Sequence, residues 1–288
     1  MTTRFRAYQI KSEGSSYSYF DGETFTLFEG RYSDDNKASI RDELRRCGKT
    51  NIDVLHITSW DKDHCDPREI QNILRDLKPS RVEVPGYNPR DLNKDQSTSS
   101  KESWKVIWEW NKYRNALRRF TPEYLASLLP SSLYGNSDIV FWPQKIDKDN
   151  ANNNSTVILF RGGAFNLLSP GDIESQEAAN TLMGRLGAET HVLVLPHHGS
   201  EHGIITRTLL QHLKPSVAVA TANFRNKFDH PRQSVRNSLS ALGIPLCTTK
   251  MGDVIVECID GRTAYICDYK WNASAGRFVT QKTGYFYV

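Results

Sequence analysis

Short apolar runs alternate with amphipathic stretches in the first third of the chain. Tyr17 to Phe20 and Thr24 to Phe28 flank Asp21-Gly22, a pair typical of tight hairpin turns, and so predict two strands. Apolar residues three and four apart predict a helix from about residue 36, and Ile52 to Ile57 predicts a short buried strand. This part of the chain therefore alternates strands with helices.

A second helix start follows the strand at Ile52 to Ile57. Asp66 is a favoured N-cap residue, Pro67 suits the first turn, and Glu69 completes a capping box. The apolar residues behind this start have helical spacing: Ile70, Ile73, Leu74 and Leu77. The residues from Ser59 to Cys65 are therefore expected in a loop between the C-terminal end of a strand and a helix.

The second half of the chain continues the same alternation. Further strands are predicted at Thr156 to Phe160, Phe165 to Leu168, His191 to Leu195, Ser216 to Ala220, Val254 to Ile259 and Thr263 to Asp268. Helical patterns lie at about 175–186, 204–213 and 231–242. This mixture predicts an α/β layered domain.

Length and composition favour one globular domain over residues 1–288. Hydrophobic residues make up 38% and charged residues 24%, and no stretch approaches the roughly 20 apolar residues of a membrane helix. The five cysteines form no CxxC pair, which suits a reducing compartment. We expect a cytoplasmic protein with no membrane segment. Residues 86–136 differ in composition and are predicted to be an insertion or lid on this domain.

The formal net charge is only +4, but one segment concentrates basic residues between Lys101 and Arg119. A helix there places Trp104 and Trp108 on one face, which would pack against the body of the domain, a second copy of the chain or a partner protein. Alternatively, its basic side chains follow a phosphate backbone while its aromatic rings stack on bases. The candidate nucleic-acid-binding residues are Lys101, Lys105, Trp110, Lys112, Tyr113, Arg114 and Arg118.

Four polar clusters directly follow predicted strands: Ser59 to His64, Ser169 to Asp172, Pro196 to Ser200 and Asp229 to Pro231. Each alone has an ordinary structural interpretation as a loop, turn or helix start. Loops that leave one edge of a sheet converge, however, and carboxylates and imidazoles are the ligands of hydrolytic metal sites. Their occurrence together predicts a metal site at that edge.

The same clusters form an ordered series of motifs. In chain order the residues are Asp61, Asp63 and His64, then Asn152 to Ser155, Gly171 and Asp172, Pro196 to Ser200, and Asn226, Phe228, His230 and Pro231. The series resembles the metallo-β-lactamase-fold hydrolases, most closely the branch similar to the C-terminal domain of the DNA-uptake protein ComEC, which reads SHxDxDH, NxxS, GD, PHHGS and NxYGHP. The resemblance covers most of the chain except residues 86–136. It implies an αββα four-layer sandwich of two mixed β-sheets with outer helices.

The resemblance also implies a metal-dependent hydrolase with one or two divalent ions. The implied ligands are Asp61, Asp63, His64, Asp172, one or both of His197 and His198, and His230. Zinc is the usual metal of the family. Manganese is the second candidate, because the carboxylates make this set richer in oxygen than a three-histidine zinc site and harder ions prefer oxygen.

Two residues depart from the family pattern. Ser59 stands where the family has its first histidine, and Phe28 stands where it has an early aspartate. The family builds one metal position on that first histidine, so the first position is expected to be weak in this chain. The second position keeps its implied ligands.

Three functions from different classes remain open on the sequence. The first is a phosphodiesterase or nuclease acting on DNA or RNA, in which Asp61 or Asp63 orients a water activated by the metal and Lys62 contacts a non-bridging phosphate oxygen. The second is a hydrolase of a small nucleotide or other small ester, which needs a closed pocket under residues 86–136. The third is a catalytically lapsed binding or regulatory module, which Ser59 and Phe28 favour.

Overall fold

The computed structural model describes residues 2–93, 97–132, 139–272 and 277–288. These residues form fifteen strands, seven α-helices and three short 3-10 helices. In chain order the strands and α-helices are β1 (Thr3–Ala7), β2 (Tyr17–Phe20), β3 (Phe25–Phe28), α1 (Lys37–Arg46), β4 (Val54–His56), α2 (Pro67–Asp76), β5 (Arg81–Pro85), α3 (Thr98–Asn111), β6 (Leu117–Phe120), α4 (Pro122–Ser132), β7 (Ile139–Trp142), β8 (Val157–Phe160), β9 (Leu167–Ser169), α5 (Gln176–Arg185), β10 (Val192–Val194), α6 (Arg207–Leu213), β11 (Val217–Ala220), α7 (Gln233–Ala241), β12 (Leu246–Thr248), β13 (Asp253–Cys258), β14 (Thr263–Asn272) and β15 (Arg277–Tyr287).

The strands form two mixed sheets. The first has nine strands in the order β15-β14-β13-β1-β2-β3-β4-β5-β6, and the second has six in the order β12-β11-β10-β9-β8-β7. Strands β3 to β6 are parallel in the first sheet, as are β9 to β12 in the second, and the other neighbours are antiparallel. Both sheets therefore contain a parallel block, at whose carboxyl ends ligand-binding loops commonly lie.

Three apolar clusters separate four layers. One lies between the sheets and includes Phe28 of β3 and Val219 of β11. A second lies between the first sheet and helices α1 to α3, where Ile73 packs, and a third lies between the second sheet and helices α5 to α7, where Leu209 packs. This arrangement is the αββα sandwich that the motif series implies, and that prediction is confirmed.

The side chains of β10 show why its apolar run is unbroken. Val192 and Val194 point into the cluster between the sheets, whereas Leu193 and the following Leu195 pack against the outer helices. A strand covered on both faces needs apolar residues at every position, so it lacks the alternation of a half-exposed strand.

The predicted start of α2 is present with one difference. The Asp66 carboxylate accepts hydrogen bonds from the backbone N–H groups of Arg68 and Glu69 at 3.0 and 3.2 Å, as an N-cap does. Glu69 does not complete a capping box; its carboxylate accepts from the guanidinium of Arg31 and the N–H of Tyr32. The helix start therefore also anchors the segment that follows β3.

The segment predicted to be an insertion or lid extends the first sheet. Strand β6 pairs in parallel with β5, and α3 connects the two strands and packs beside α2. The buried side of α3 carries Ser100, Ser103 and Ile107. Trp104 is half-buried against the apolar cluster beside the first sheet, whereas Trp108 is 37% exposed and is not covered by the body of the domain. Packing of this stripe against a second copy or a partner protein stays a prediction. Residues 94–96 and 133–136 of the predicted segment lie outside the described residues.

Two further expectations concern the cysteines and the membrane. All five cysteines are free thiols, as the absence of paired cysteine motifs predicts. Across the described parts of the chain, none of the helices combines the length and the apolar character needed to cross a bilayer.

A buried histidine links the two sheets. His56 of β4 lies with its Nδ1 3.1 Å from Glu83 Oε2 and its Nε2 2.8 Å from Thr156 Oγ1, next to β8. The other oxygen of Glu83 accepts from Arg81 at 2.8 Å and from Arg118 at 3.1 Å. Burial alone would raise the pKa of Glu83, but His56 and the two guanidinium groups outweigh it and lower this pKa to about 2.

We expect Glu83→Gln to lower the free energy of unfolding by about 3 kcal/mol near neutral pH. The pKa of Glu83 in the folded protein lies below its ordinary value of 4.5. The carboxylate therefore stabilises the fold fully above pH 4.5, and this stabilisation is lost as the pH falls toward 2. Urea unfolding at neutral and acidic pH measures the difference between variant and wild type. Glu109→Gln, which removes an exposed pair with Lys112, should change stability by less than about 0.5 kcal/mol. An equal loss for Glu83→Gln at both pH values would contradict the electrostatic explanation.

Candidate metal centre

Five loops meet at the carboxyl ends of the parallel strands. Glu29 follows β3, residues 57–65 follow β4, residues 170–175 follow β9, residues 195–200 follow β10, and residues 221–232 follow β11. The loop after β4 leaves the first sheet and the loops after β9 and β10 leave the second, yet their ligand atoms lie close together. The parallel blocks of both sheets therefore end at the same edge of the sandwich. The polar clusters of the sequence lie in these loops.

Four side chains offer ligand atoms that lie within 4.8 Å of one another: Asp63, His64, Asp172 and His198. His64 Nε2 lies 2.8 Å from Asp172 Oδ2, and His198 Nε2 lies 3.4 Å from Asp63 Oδ2 and 3.9 Å from Asp172 Oδ2. Three of the four are buried, while the Asp63 side chain is 34% exposed. The group therefore reaches solvent on the side of Asp63.

The donor atoms of this group fit a divalent metal ion. Among the described residues, the buried Nε2 atoms of His64 and His198 have no partner with hydrogen-bond geometry. A buried polar atom without a partner is costly, and a metal ion satisfies such an atom. Two imidazole nitrogens and two carboxylates suit several divalent ions, zinc and manganese included, so the donor set supports a metal without selecting one.

The tautomer of each imidazole follows from its second nitrogen. His198 Nδ1 lies 2.8 Å from the carbonyl oxygen of Thr221, and a carbonyl only accepts, so Nδ1 carries the hydrogen. His64 Nδ1 lies 3.1 Å from Glu29 Oε1. In a neutral ring, Nε2 then has its lone pair toward the group, the arrangement in which an outer partner orients a metal-binding histidine.

Electrostatics at the group favour an added positive charge. Burial would lower the pKa of His64, but Asp172 and Glu29 beside the ring raise it well above its ordinary value. Burial likewise opposes ionisation of Asp172, yet His64 and His198 lower its pKa, and His198 helps to lower that of Asp63. The carboxylates of Glu29, Asp63 and Asp172 thus converge here. Their negative charges favour the binding of a cation.

The adjacent histidines point to different partners. His197 and His198 have φ angles of 48° and 55°, in the left-handed region that residues other than glycine rarely adopt. His197 directs its Nδ1 to Glu174 Oε1 at 2.8 Å, and it borders the same small cavity as Asp63 and His198. Of the two candidates, only His198 offers a ligand atom to the four-residue group.

Two glycines of the motifs allow these loops to approach closely. At Gly171, with φ of 59°, a Cβ atom would lie 2.7 Å from the Cβ of Ser155; at Gly199, with φ of 88°, it would lie 2.5 Å from that of Pro231. Ser155, the last residue of the NxxS motif, also accepts a hydrogen bond from the N–H of Asp172 at 3.1 Å. These contacts fix the loop that presents Asp172.

Sequence reasoning missed Glu29. The motif series aligns the family's early aspartate with Phe28. Phe28, however, belongs to the core between the sheets, where its ring stacks on Tyr17 at 4.5 Å. The fully buried Glu29 supplies the carboxylate and accepts from Thr58 Oγ1 and N at 2.7 and 3.1 Å while it contacts His64. An acidic residue directly after an apolar strand was the signal for it.

Asp61 lies outside the metal group. Its Oδ2 is 3.3 Å from the hydroxyl of Ser59, the residue that replaces the family's first histidine. Burial and the neighbouring Asp63 raise the pKa of Asp61 to about 6. Lys62 is exposed on the same loop. The serine that stands in place of the family's first histidine therefore contacts Asp61 rather than the four-residue group.

His230, the last predicted ligand, lies beside the group rather than within it. Its ring centroid is 6.4 Å from that of His198, and its Nδ1 is buried without a hydrogen-bond partner among the described residues. Burial and the two histidines nearby lower the pKa of His230 to about 4, so the ring is neutral at physiological pH. Of seven predicted ligands the structure brings together four, with Asp61, His197 and His230 outside.

The predicted nucleic-acid-binding residues do not share one surface. Lys105 and Trp110 line a groove between α2 and α3, on the outer side of the first sheet. Arg118 points to the inner side, where it binds Glu83. The remaining members are exposed or half-buried on α3 or just after it: Lys101, Lys112, Tyr113 and Arg114.

The cavity beside the metal group is small. It measures about 40 Å³ and is bordered by Asp63, His198, His230 and Phe228 among others, with none of the described residues of the segment 86–136. A cavity of about 540 Å³ lies elsewhere, between the sheets near Glu83. Enclosed small-molecule sites usually measure 300 Å³ or more, so the closed pocket expected for a small ester is not formed here by the described residues.

Two curated proteins are similar in sequence to this chain. No protein-family model matches the chain. It is 24% identical over 212 residues to ComE operon protein 3 of Bacillus subtilis, covering 72% of this chain and 25% of that protein. It is 32% identical over 106 residues to competence protein ComA of Neisseria gonorrhoeae, covering 36% and 15%. The chain thus spans a quarter or less of the length of these relatives.

Solved structures show a similar architecture. A mutant of the CmlA β-hydroxylase matches with a TM-score of 0.50 and 10% identity over 88% of this chain and 54% of that one. Igni18, a metallo hydrolase from the archaeon Ignicoccus hospitalis, reaches a TM-score of 0.46 and 12% identity over 88% of this chain and 98% of that one. The likeness to CmlA concerns the fold alone. The chain has a metallo-β-lactamase-like fold and is related in sequence to the competence proteins ComE operon protein 3 and ComA, as its motifs predicted.

Proposed function

We propose that this chain is a metal-dependent hydrolase that cleaves phosphodiester bonds of DNA or RNA. The observation that carries the proposal is the group of Asp63, His64, Asp172 and His198, whose ligand atoms converge and whose two buried imidazole Nε2 atoms make no hydrogen bond within the described residues. The relation to competence proteins and the resemblance to the ComEC branch favour nucleic acid as the substrate.

Each residue of the centre has a part in this reaction. The four side chains of the group hold the ion, which when bound lowers the pKa of water and neutralises charge on a phosphoryl oxygen. Asp63, the most exposed member, faces the direction from which substrate and water arrive. Lys62 extends from the same loop and, as a cation, attracts a non-bridging phosphate oxygen.

The shape of the site favours a polymer over a small ester. The cavity of about 40 Å³ cannot enclose a nucleotide, whereas a chain laid across an open surface needs only its phosphate to reach the metal. For the small-ester alternative, the segment 86–136 would have to cover the site, but its described part is joined to the first sheet through β6.

Metal content and turnover test the proposal together. We expect one tightly held divalent ion per chain by elemental analysis, because only one group of four ligands is present in the described residues. With zinc or manganese, a single-stranded oligonucleotide should be cleaved at least about a hundredfold faster than after removal of the metal. Ser59→Ala should keep the tightly held ion, since Ser59 lies outside the group.

Three results would contradict this proposal. Absence of both metal and phosphodiester cleavage would favour the lapsed binding module. Two tightly held ions would show that another residue replaces the missing first histidine. Cleavage of small esters without cleavage of oligonucleotides would favour the alternative substrate class.

A further inference from the structure

The loop of residues 221–232, between β11 and α7, presents aromatic and basic side chains beside the metal group. Asn226 holds this loop in shape: its Nδ2 donates to the carbonyl oxygens of Asn223 and His230 at 2.9 and 3.1 Å, and its Oδ1 accepts from the N–H of His230 at 2.6 Å. These three hydrogen bonds made by one side chain fix the conformation of the loop. The rings it carries are therefore held in place.

Two of those rings are exposed. Phe224 is 66% exposed and Phe228 is 51% exposed, although phenylalanine is normally buried. Phe228 borders the same small cavity as Asp63 and His198, and its ring is stacked on His230 at 5.6 Å with an interplanar angle of 19°. Exposed rings beside a proposed catalytic centre suggest a contact with substrate.

Basic side chains lie around these rings together with the acidic Glu13 and Asp229. Lys227 Nζ lies over the Phe228 ring, 4.8 Å from its centroid, and this exposed side chain would move aside when a base stacks there. Arg225 is in the same loop and Lys62 is on the loop after β4; within the described ranges neither forms an ion pair. Lys227 pairs with Glu13 at 3.3 Å. A ligand with flat rings and negative charges complements this surface.

We propose that Phe224 and Phe228 form a base-stacking subsite for single-stranded nucleic acid, with Arg225 and Lys62 contacting its phosphates. A base on Phe228 would place a neighbouring phosphate toward the metal group, because the ring and the ligands border one cavity. A duplex hides the faces of its bases, so the subsite selects single strands. The inference rests on the proposed function for its substrate class, and it locates the contact away from α3, where the sequence had suggested it.

Binding of fluorescent oligonucleotides tests the subsite without any cleavage. Anisotropy in the presence of a chelator compares a single-stranded DNA with an oligomer of the same length whose sites are all abasic. In the double variant F224A/F228A we expect the Kd for the base-bearing strand to rise at least about 30-fold, since base stacking contributes about 1–3 kcal/mol per base and two rings are removed. The Kd for the abasic strand should stay within twofold of wild type.

Matched variants separate stacking from general effects. Phe228→Tyr keeps an aromatic face and should retain the wild-type affinity. Met251→Ala removes another exposed apolar side chain, 66% exposed and away from the metal group, and should change neither Kd. The wild type should also bind the single strand more tightly than a duplex of the same sequence.

The outcomes distinguish this inference from the proposed function. Equal losses for the base-bearing and abasic strands, or no loss in F224A/F228A, would overturn the subsite even if the chain cleaves DNA. A loss confined to the base-bearing strand would support the subsite even if no cleavage is found, and the chain would then be a nucleic-acid-binding module.

Discussion

His198→Ala is expected to abolish tight metal binding and to lower phosphodiester hydrolysis by at least about a thousandfold. Its Nε2 is a buried atom of the four-ligand group and its Nδ1 is fixed by the carbonyl of Thr221, so its loss removes a nitrogen ligand with a set orientation. Isothermal titration with Zn²⁺ and Mn²⁺ measures the affinity, and single-strand cleavage measures the rate. His64→Ala should behave in the same way.

The neighbouring histidine provides the control. His197 has the same chemistry and lies one residue away, but its ring is bound to Glu174 outside the group. We expect His197→Ala to lower metal affinity by no more than about tenfold, as for a residue that supports rather than forms a site. If His197→Ala lost the metal and His198→Ala kept it, the assignment of the two rings would be reversed.

Glu29→Gln is expected to weaken metal binding by about 10-fold to 100-fold while the protein stays folded. The carboxylate contacts Nδ1 of His64 at 3.1 Å and accepts two hydrogen bonds from Thr58, so it fixes the tautomer and the orientation of the ring. The amide has the same size but no charge, and its NH₂ group cannot accept a hydrogen bond. Metal titration gives the affinity, and thermal unfolding of the metal-free protein gives the stability.

Glu174 provides the control for Glu29, because its carboxylate also contacts a histidine. Glu174 binds His197 at 2.8 Å, as Glu29 binds His64, but its histidine lies outside the metal group. Glu174→Gln should therefore leave metal affinity within a few-fold of wild type. Unchanged affinity in Glu29→Gln would show that the His64 ring is oriented without this carboxylate.

Much of the fold could be predicted because many elements are specified by local patterns. The hairpin at Asp21-Gly22, the N-cap at Asp66 and the doubly buried run ending at Leu195 each reflect rules that act over a few residues. Gly48, with φ of 68°, ends α1 as expected of a glycine after a helix. The order of these elements and the motifs between them were enough to indicate the sandwich.

The strands that were missed have weak local patterns. In β6 the two central residues, Arg118 and Arg119, are exposed, and this strand lies at an edge of the first sheet. In β5 a buried Glu83 interrupts the apolar residues. Such strands are stabilised by pairing with a neighbour and by ion pairs across strands, which depend on residues distant in the sequence.

The candidate site shows the same division between sequence and tertiary structure. The sequence by itself determined that carboxylates and imidazoles follow the strands, because residue type and position after a strand are local properties. Only the tertiary structure decided that His198 rather than His197 joins the group and that Glu29 rather than residue 28 supplies the supporting carboxylate. These choices depend on the left-handed turn at the two histidines and on the packing of loops from opposite sheets. Both are set by contacts between segments far apart in the chain, which no local pattern records.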